Sequence, residues 1–204
     1  MITVVDYGMG NLRSVSKALE RLGAQVQVTS DPAAVERAKK LILPGVGAFG
    51  AAMTELEKRR LIDPIRRAIA RGVPFLGICL GLQLLFEASD EAPGVAGLGV
   101  LPGRVRRFEA EGLKIPHMGW NQVYRNAANT DGASLLDGLV EGSYLYFVHS
   151  YYADPADRAV VALESEYGGR FPAMIAHGRL FATQFHPEKS QAIGLRLLER
   201  FVAA

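Results

Sequence analysis

The sequence predicts an α/β fold in which a central, mostly parallel sheet is flanked by helices and carries antiparallel strands in its second half. In the first half, apolar runs of strand length alternate with segments of helical period, and this alternation is typical of right-handed βαβ units. The run at 73–78 is apolar throughout, as expected of a parallel strand buried on both faces. From Gly99 onward, short strands are separated by Gly, Asn and Asp turns.

The first half is predicted to hold strands and helices in turn. Asn11 is placed to cap the first helix and Gly23 to end it. Pro64 is expected to interrupt a long helical segment. The strands are predicted at 2–5, 26–29, 41–43 and 73–78, and the helices at 12–22, 32–38, 51–71 and 80–88.

The second half is predicted to be mainly strand, with one closing helix. The strands are expected at 144–148, 160–163, 173–176 and 180–185, and the helix at 188–202. No internal repeat, low-complexity tract or linker interrupts the sequence. We therefore expect a single domain over residues 1–204, a length that needs no disulfide or metal for stability.

Composition and charge exclude several classes of function. A formal net charge of +2 is too small to indicate nucleic acid or an anionic membrane as an obligatory partner. One cysteine cannot form an internal disulfide, so nothing suggests secretion. The N-terminus resembles a strand rather than a signal peptide, and the apolar stretch at 78–86 is too short to span a bilayer. We expect a cytoplasmic protein.

A glycine-rich loop at 45–50 follows the third strand and precedes a helix. Its G-x-G-x-x-G spacing matches the dinucleotide-binding fingerprint, but the next strand ends in Cys79, where that fingerprint needs an acidic residue for the ribose. Two interpretations of this loop remain. It is a plain strand-to-helix turn, or its backbone N–H groups stabilise a negative charge that develops during a reaction.

The single cysteine lies in the pattern G-x-C-x-G at 77–81, between a buried strand and a predicted helix. This is the thiol form of the nucleophile elbow, in which a sharp turn exposes the nucleophile above the sheet. The N–H of Leu80 would then be the first oxyanion donor. The alternative is a buried cysteine that only fills space. The position at the carboxyl end of a central strand favours the nucleophile.

A thiol nucleophile needs a base, and four histidines are available: His117, His149, His177 and His186. His186 follows an apolar strand, and Glu188 stands two residues on across Pro187. A carboxylate there can orient the imidazole, as in a catalytic triad, although such a segment can also be an ordinary strand-ending loop. One cysteine without close histidine spacing makes a zinc site improbable, and no metal or cofactor is expected.

The chain resembles the class I (triad) glutamine amidotransferases, and within them the glutaminase subunits of imidazole glycerol phosphate synthase. The residues around the cysteine and at 184–190 carry the resemblance to the wider class. The segments 6–12, 44–47, 116–121 and 147–151 resemble the glutaminase subunits, and 6–12 and 116–121 are the ones that single these subunits out. The resemblance implies a flavodoxin-like class I glutamine amidotransferase fold.

The resemblance also implies an activity and a partner. The chain would hydrolyse glutamine to glutamate and ammonia, and would pass the ammonia to a (β/α)₈-barrel cyclase subunit in a heterodimer for histidine biosynthesis. Cys79 would be the nucleophile, His186 the acid and base, and Glu188 the orienting group, with oxyanion donors at Val46 and Leu80. The remaining matches are to the glutamine pocket, at Gly47, Gln83, Ser150 and Tyr151, and to the cyclase-facing surface, at Asn11, Met118, Trp120, Tyr146 and Lys189.

Two further expectations concern regulation and alternatives. Gly45 lets the peptide plane before Val46 reorient at low cost, so partner binding could select a competent oxyanion loop.

The alternative functions are a class I glutaminase that serves a different synthase, a flavodoxin-like binding module, and a cysteine peptidase or redox sensor.

Overall fold

Twelve strands are found in the computed structural model, which describes residues 1–109 and 112–204. The strands are β1 Ile2–Val5, β2 Val26–Thr29, β3 Leu41–Gly45, β4 Phe75–Cys79, β5 Ala88–Ser89, β6 Gly103–Arg107, β7 His117–Arg125, β8 Ser143–His149, β9 Tyr151–Pro155, β10 Val161–Glu166, β11 Arg170–His177 and β12 Leu180–Thr183.

Six α-helices and two short 3₁₀ turns complete the described structure. The helices are α1 Leu12–Arg21, α2 Pro32–Glu36, α3 Phe49–Lys58, α4 Ile62–Ala70, α5 Leu80–Gln83 and α6 Gln191–Ala203, and the 3₁₀ turns are Arg158–Val160 and Pro187–Lys189. Asn11 caps α1 by accepting from the Ser14 N–H, as the sequence predicts. In the described part of the chain no helix has the length and apolarity to cross a bilayer.

Nine of the strands form one mixed sheet in the order β2-β1-β3-β4-β12-β11-β10-β7-β8. The pairs from β2 to β12 are parallel, and those from β12 to β8 are antiparallel. The predicted fold class, parallel first and antiparallel later, is therefore confirmed. The remaining strands β5, β6 and β9 form a small second sheet.

The central parallel strands β3 and β4 are apolar on both faces because helices cover both. Leu43 packs into the cluster under α3 and α4, whereas Ile42, the preceding residue in β3, packs into the cluster under α1 and α6. Successive side chains of a strand point to opposite faces, so a strand covered on both sides must be apolar at every position. The carboxyl ends of β3, β4 and β12 consequently meet at one edge of a rigid, doubly covered sheet.

Two helix predictions differ from the structure. The break in the predicted helix 51–71 precedes Pro64, because Arg60 takes a positive φ of 55° between α3 and α4. Pro64 lies in the first turn of α4, where a missing N–H removes no helical hydrogen bond.

The prediction of a helix over 80–88 is wrong beyond α5. N–H groups of the loop at 97–101 donate to carbonyls that a longer helix would use for its own hydrogen bonds: Leu98 donates to Leu84 and Val100 donates to Leu85. The loop thereby closes over the end of α5, and the chain turns into β5.

The turn from β4 into α5 depends on glycine at position 81. A Cβ there would lie 1.9 Å from the Leu43 carbonyl oxygen of β3, which is far inside van der Waals contact. We expect Gly81→Ala to lower the free energy of unfolding by about 2–3 kcal/mol, because backbone atoms must move to relieve the overlap. Urea denaturation measures this change.

Gly10→Ala is the matched control, because a Cβ at Gly10 meets no atom closer than 3.4 Å. It should change the free energy of unfolding by less than about 0.5 kcal/mol. Equal effects of the two substitutions would show that the approach of α5 to β3 does not limit stability.

Candidate active site

Cys79 is the last residue of β4 and the residue that caps α5. Its backbone has φ 55° and ψ −108°, a conformation that non-glycine residues rarely adopt and that costs about 1–3 kcal/mol. Added Cβ atoms at Gly77 and Gly81 would overlap neighbouring backbone; the one at Gly77 would lie 2.7 Å from the Gly81 carbonyl oxygen. The predicted elbow therefore has the strained, closely packed turn that such a nucleophile site requires.

The thiol is 6% exposed and has two polar neighbours. The amide nitrogen of Gln184 lies 3.8 Å from Sγ, and the Val148 carbonyl oxygen lies 4.0 Å away. Gln184 follows β12, the strand that pairs in parallel with β4. An N–H donor directed at sulfur stabilises negative charge on it.

His186 and Glu188 form a buried pair at the same sheet edge. Nδ1 of His186 is 2.8 Å from Oε1 of Glu188, and both side chains are almost wholly inaccessible to solvent. Pro187 and Glu188 form part of the 3₁₀ turn after β12, and α6 packs against this turn. Because Nδ1 faces a carboxylate, it carries a proton, and Nε2 is the nitrogen left for chemistry.

The electrostatic environment of His186 favours the imidazolium ion. Burial disfavours that charge, but the neighbouring Cys79 and Glu188 outweigh it and raise the pKa of His186 to about 9. Nε2 is buried and has no hydrogen-bond partner of regular geometry among the described residues, but Cys79 lies close enough to it to raise the pKa of His186. The site thus places the thiol of Cys79 beside an imidazole that favours its protonated form.

The glycine-rich loop starts directly beside the cysteine, on the neighbouring strand. Gly45 pairs with Cys79 between β3 and β4, and a Cβ on Gly45 would lie 2.5 Å from the Tyr7 hydroxyl and 2.8 Å from Cβ of Leu80. Gly47 has a φ of 97°, which glycine adopts without strain. The start of the loop is therefore clamped, while Val46 beyond it is partly exposed.

A cavity of about 380 Å³ opens beside the thiol. Its volume suits a small polar metabolite. The residues that sequence analysis assigns to the oxyanion loop, the glutamine pocket, the nucleophile and the base all contribute to its lining: Val46, Gly47, Cys79, Leu80, Gln83, Ser150, Tyr151 and His186. The structure brings these residues together, although their roles remain predictions.

The predicted partner surface includes several exposed aromatic and apolar side chains. Met118 is 63% exposed and Trp120 is 45% exposed on β7. Trp120 packs edge-on against Tyr146 of β8 at 6.0 Å, and Nζ of Lys189 lies 5.9 Å from the centre of the Tyr146 ring. Asn11 begins α1, which packs near the 3₁₀ turn that carries Lys189.

Some residues of the site have no individual signal in the sequence. Glu91 lines the cavity and accepts from the Phe49 N–H, and Gln184 faces the thiol. Tyr7 lies buried beside Gly45, where burial, followed by the influence of Cys79, raises its pKa. Only the segment 184–190, singled out for His186, could have drawn attention to Gln184. In the described residues no cluster of His, Cys, Asp or Glu could hold a metal ion.

Comparison with known proteins identifies the family. The model of the family described as glutamine amidotransferase class-I matches residues 3–204. The imidazole glycerol phosphate synthase subunit HisH of Rhodopirellula baltica is 56% identical over 205 residues, covering 100% of this chain and 98% of that protein. The subunit HisH of Moorella thermoacetica is 54% identical over 200 residues, covering 98% and 93%.

A solved structure described as a glutamine amidotransferase has the same fold. It superposes with a TM-score of 0.76 at 23% identity, covering 100% of this chain and 98% of its own. At that identity the solved structure shows a shared fold only. The family model and the HisH relatives show sequence similarity over nearly the whole chain. The chain therefore belongs to the class I glutamine amidotransferases and, within them, to the imidazole glycerol phosphate synthase HisH subunits.

Proposed function

We propose that this protein is the glutaminase subunit of a cytoplasmic imidazole glycerol phosphate synthase. It hydrolyses glutamine to glutamate and ammonia and delivers the ammonia to a cyclase subunit, its partner in a heterodimer, for histidine biosynthesis. The observation that carries the proposal is the strained Cys79 beside the buried His186–Glu188 pair. The relatives named HisH support the choice of synthase.

The chemistry starts with attack of the Cys79 thiolate on the side-chain amide carbon of glutamine. A C–S bond forms, and the carbonyl oxygen becomes an oxyanion. The imidazolium of His186 then donates its Nε2 proton to the departing nitrogen, and the C–N bond breaks to release ammonia. Glu188 holds Nδ1–H throughout and so fixes the orientation of the ring.

Water completes the reaction. His186, now neutral, accepts a proton from a water molecule as that water attacks the glutamyl thioester. The second tetrahedral intermediate collapses, the C–S bond breaks, and glutamate leaves with the thiolate restored. One glutamine and one water thus give one glutamate and one ammonia.

Backbone N–H groups would stabilise both oxyanions. The N–H of Leu80 lies at the start of α5, directly after the nucleophile, and Val46 follows the clamped Gly45 on the other side of the cavity. One such donor is worth about 10²–10³ in turnover. The orientation of the Val46 peptide therefore governs the rate as strongly as a catalytic side chain does.

The cavity lining includes one carboxylate that suits the charged amino end of free glutamine. The carboxylate of Glu91 is placed to meet the α-ammonium group, while Gly47, Gln83, Ser150 and Tyr151 line the remainder of the cavity. A peptide bond at the α-nitrogen would remove that charge. This favours a substrate with a free α-amino group.

The exposed surface around Trp120 is the proposed contact with the cyclase. Met118, Trp120 and Tyr146 are the apolar and aromatic members, and Lys189 adds a positive charge above Tyr146. Asn11 completes the predicted set. Aromatic anchors with a charged neighbour are typical of protein interfaces. Lys189 follows Glu188 directly, so this contact would lie one residue from the catalytic pair.

Partner binding would select the competent oxyanion loop. Gly45 is held by Tyr7 and Leu80, so reorientation must occur at the peptides around Val46 and Gly47. A glutaminase that ran without its partner would release ammonia to no purpose. We propose that the cyclase and its ligand stabilise the orientation in which the Val46 N–H faces the cavity.

The proposed function is tested by a glutaminase assay of the wild type and Cys79→Ala, each alone and with the cyclase subunit and its ligand. Removing the nucleophile should lower turnover by about 10⁴-fold or more. The wild type should release ammonia faster with the liganded partner than alone. Coupled detection of glutamate measures both effects.

Two results would each contradict a different part of the proposal. Activity retained in Cys79→Ala would exclude thiol catalysis. Equal wild-type rates with and without the partner would exclude the conditional loop while leaving the catalytic residues in place. Circular dichroism of the variant checks that the substitution has not unfolded the chain.

The charge state of His186 gives an independent prediction. Because Cys79 and Glu188 together outweigh burial and raise its pKa to about 9, we expect an NMR titration of the ring to have its midpoint near pH 9. Cys79→Ser and Glu188→Gln should each lower that midpoint, since each removes a negative group while the burial remains. A midpoint near the ordinary 6.5 in the wild type, unchanged in both variants, would exclude the proposed ion pair.

A further inference from the structure

Two buried histidines that the mechanism does not use lie next to the cavity. His117 of β7 and His149 of β8 stand opposite each other in the antiparallel ladder, and they are 4% and 6% exposed. Nδ1 of His117 lies 3.2 Å from Nε2 of His149. Aromatic rings enclose the pair, with Phe147 stacked on His117 and Phe108 tilted against His149. His149 also lines the cavity.

Burial favours the neutral form of both rings. It lowers the pKa of His117 to about 4. Burial is also the largest cause that brings the pKa of His149 down to about 3; the bond to the Tyr151 carbonyl opposes it, and the smaller effects of His117 and His186 act with it. Each neutral ring has one N–H donor and one acceptor nitrogen.

The contacts then determine which nitrogen carries each proton. The Tyr151 carbonyl oxygen lies 2.8 Å from Nδ1 of His149 and can only accept, so Nδ1 is the donor and Nε2 the acceptor. His117 must therefore donate from Nδ1. Its own Nε2 is left to accept from the amide of Asn121 at 3.2 Å. The second hydrogen of the same Asn121 amide is donated to the Glu166 carbonyl at 2.8 Å.

A second series of hydrogen bonds reaches the same carbonyl from the thiol. The amide of Gln83 donates to the Tyr151 carbonyl at 2.9 Å and to Oε1 of Gln184 at 3.1 Å. Gln184 is thereby oriented with its nitrogen toward Cys79, 3.8 Å from Sγ. The Tyr151 carbonyl thus accepts from two chains of hydrogen bonds. One runs from Asn121 through the two histidines, and the other runs through Gln83 and Gln184 to the nucleophile.

We propose that His149, held in one tautomer by His117, is a positioning residue that fixes the Tyr151 segment of the glutamine pocket and, through Gln83, the amide of Gln184 that faces the thiol. This series of hydrogen bonds begins at Asn121, one residue along β7 from the exposed Trp120. The inference rests on the proposed glutaminase activity.

Two substitutions of His149 separate its hydrogen bond from its bulk. His149→Leu removes both ring nitrogens, whereas His149→Asn keeps an amide N–H near the position of Nδ1 and can still donate to Tyr151. In the full chain with its cyclase partner, His149→Leu should raise KM for glutamine about tenfold, the effect of one lost buried hydrogen bond, with a smaller change in kcat. His149→Asn should keep KM close to the wild-type value.

His177 provides the matched control, because it is exposed at the end of β11. His177→Leu and His177→Asn should leave both kinetic constants unchanged. An unchanged KM in His149→Leu would overturn the inference, as would equal impairment in His149→Leu and His149→Asn, which would point to packing alone. Absence of glutamine hydrolysis by the wild type would instead contradict the proposed function.

The tautomer can be measured without activity and without a substitution. NMR of the chain labelled with ¹⁵N-histidine at pH 7 should show Nδ1 protonated and Nε2 unprotonated in both His117 and His149. This pattern supports the proposed series of hydrogen bonds even if His149→Leu fails to fold. Protonation at Nε2 of His149 would overturn it, because Nδ1 could then not donate to Tyr151.

Discussion

The approach of α5 to β3 at backbone distance is the constraint on which the candidate site depends. The Leu43 carbonyl lies where a side chain at position 81 would begin, and the Gly81 carbonyl lies where a side chain at position 77 would begin. Without these contacts the chain could not turn so sharply from β4 into a helix. The turn imposes a positive φ on Cys79, and the sheet on either side supplies the packing that keeps it there.

The polar groups around the thiol follow from the order of the strands. Because β12 lies next to β4 and runs parallel to it, the residues that follow both strands leave the sheet at one edge. Gln184 and His186 therefore reach Cys79 although they are distant from it in sequence. The 3₁₀ turn then returns Glu188 to the imidazole, and α6 covers the pair. The charged form of the buried His186 ring is favoured here because Cys79 and Glu188 flank it.

The fold class, the elbow and the His186–Glu188 contact could be predicted because each has a local signal: apolar runs of strand length, two glycines around a cysteine, and a carboxylate two residues from a histidine. The length of α5 could not be predicted, since the loop at 97–101 ends the helix by bonding to the Leu84 and Leu85 carbonyls that a longer helix would use. Strand β7 also had no clear local signal, because its exposed Trp120 and Met118 interrupt the usual alternation of a half-buried strand. The His117–His149 pair depends on the register of β7 against β8, which no single strand specifies.

The proposed mechanism requires Cys79 to be a nucleophile within a pocket that recognises glutamine, and covalent labelling tests both properties together. The protein is incubated with 6-diazo-5-oxo-norleucine, a glutamine-like electrophile, and the adduct is located by intact mass and peptide mapping. One adduct is expected, on Cys79, formed more slowly when glutamine is present. Labelling at the same rate with and without glutamine, or no labelling of Cys79, would contradict the mechanism.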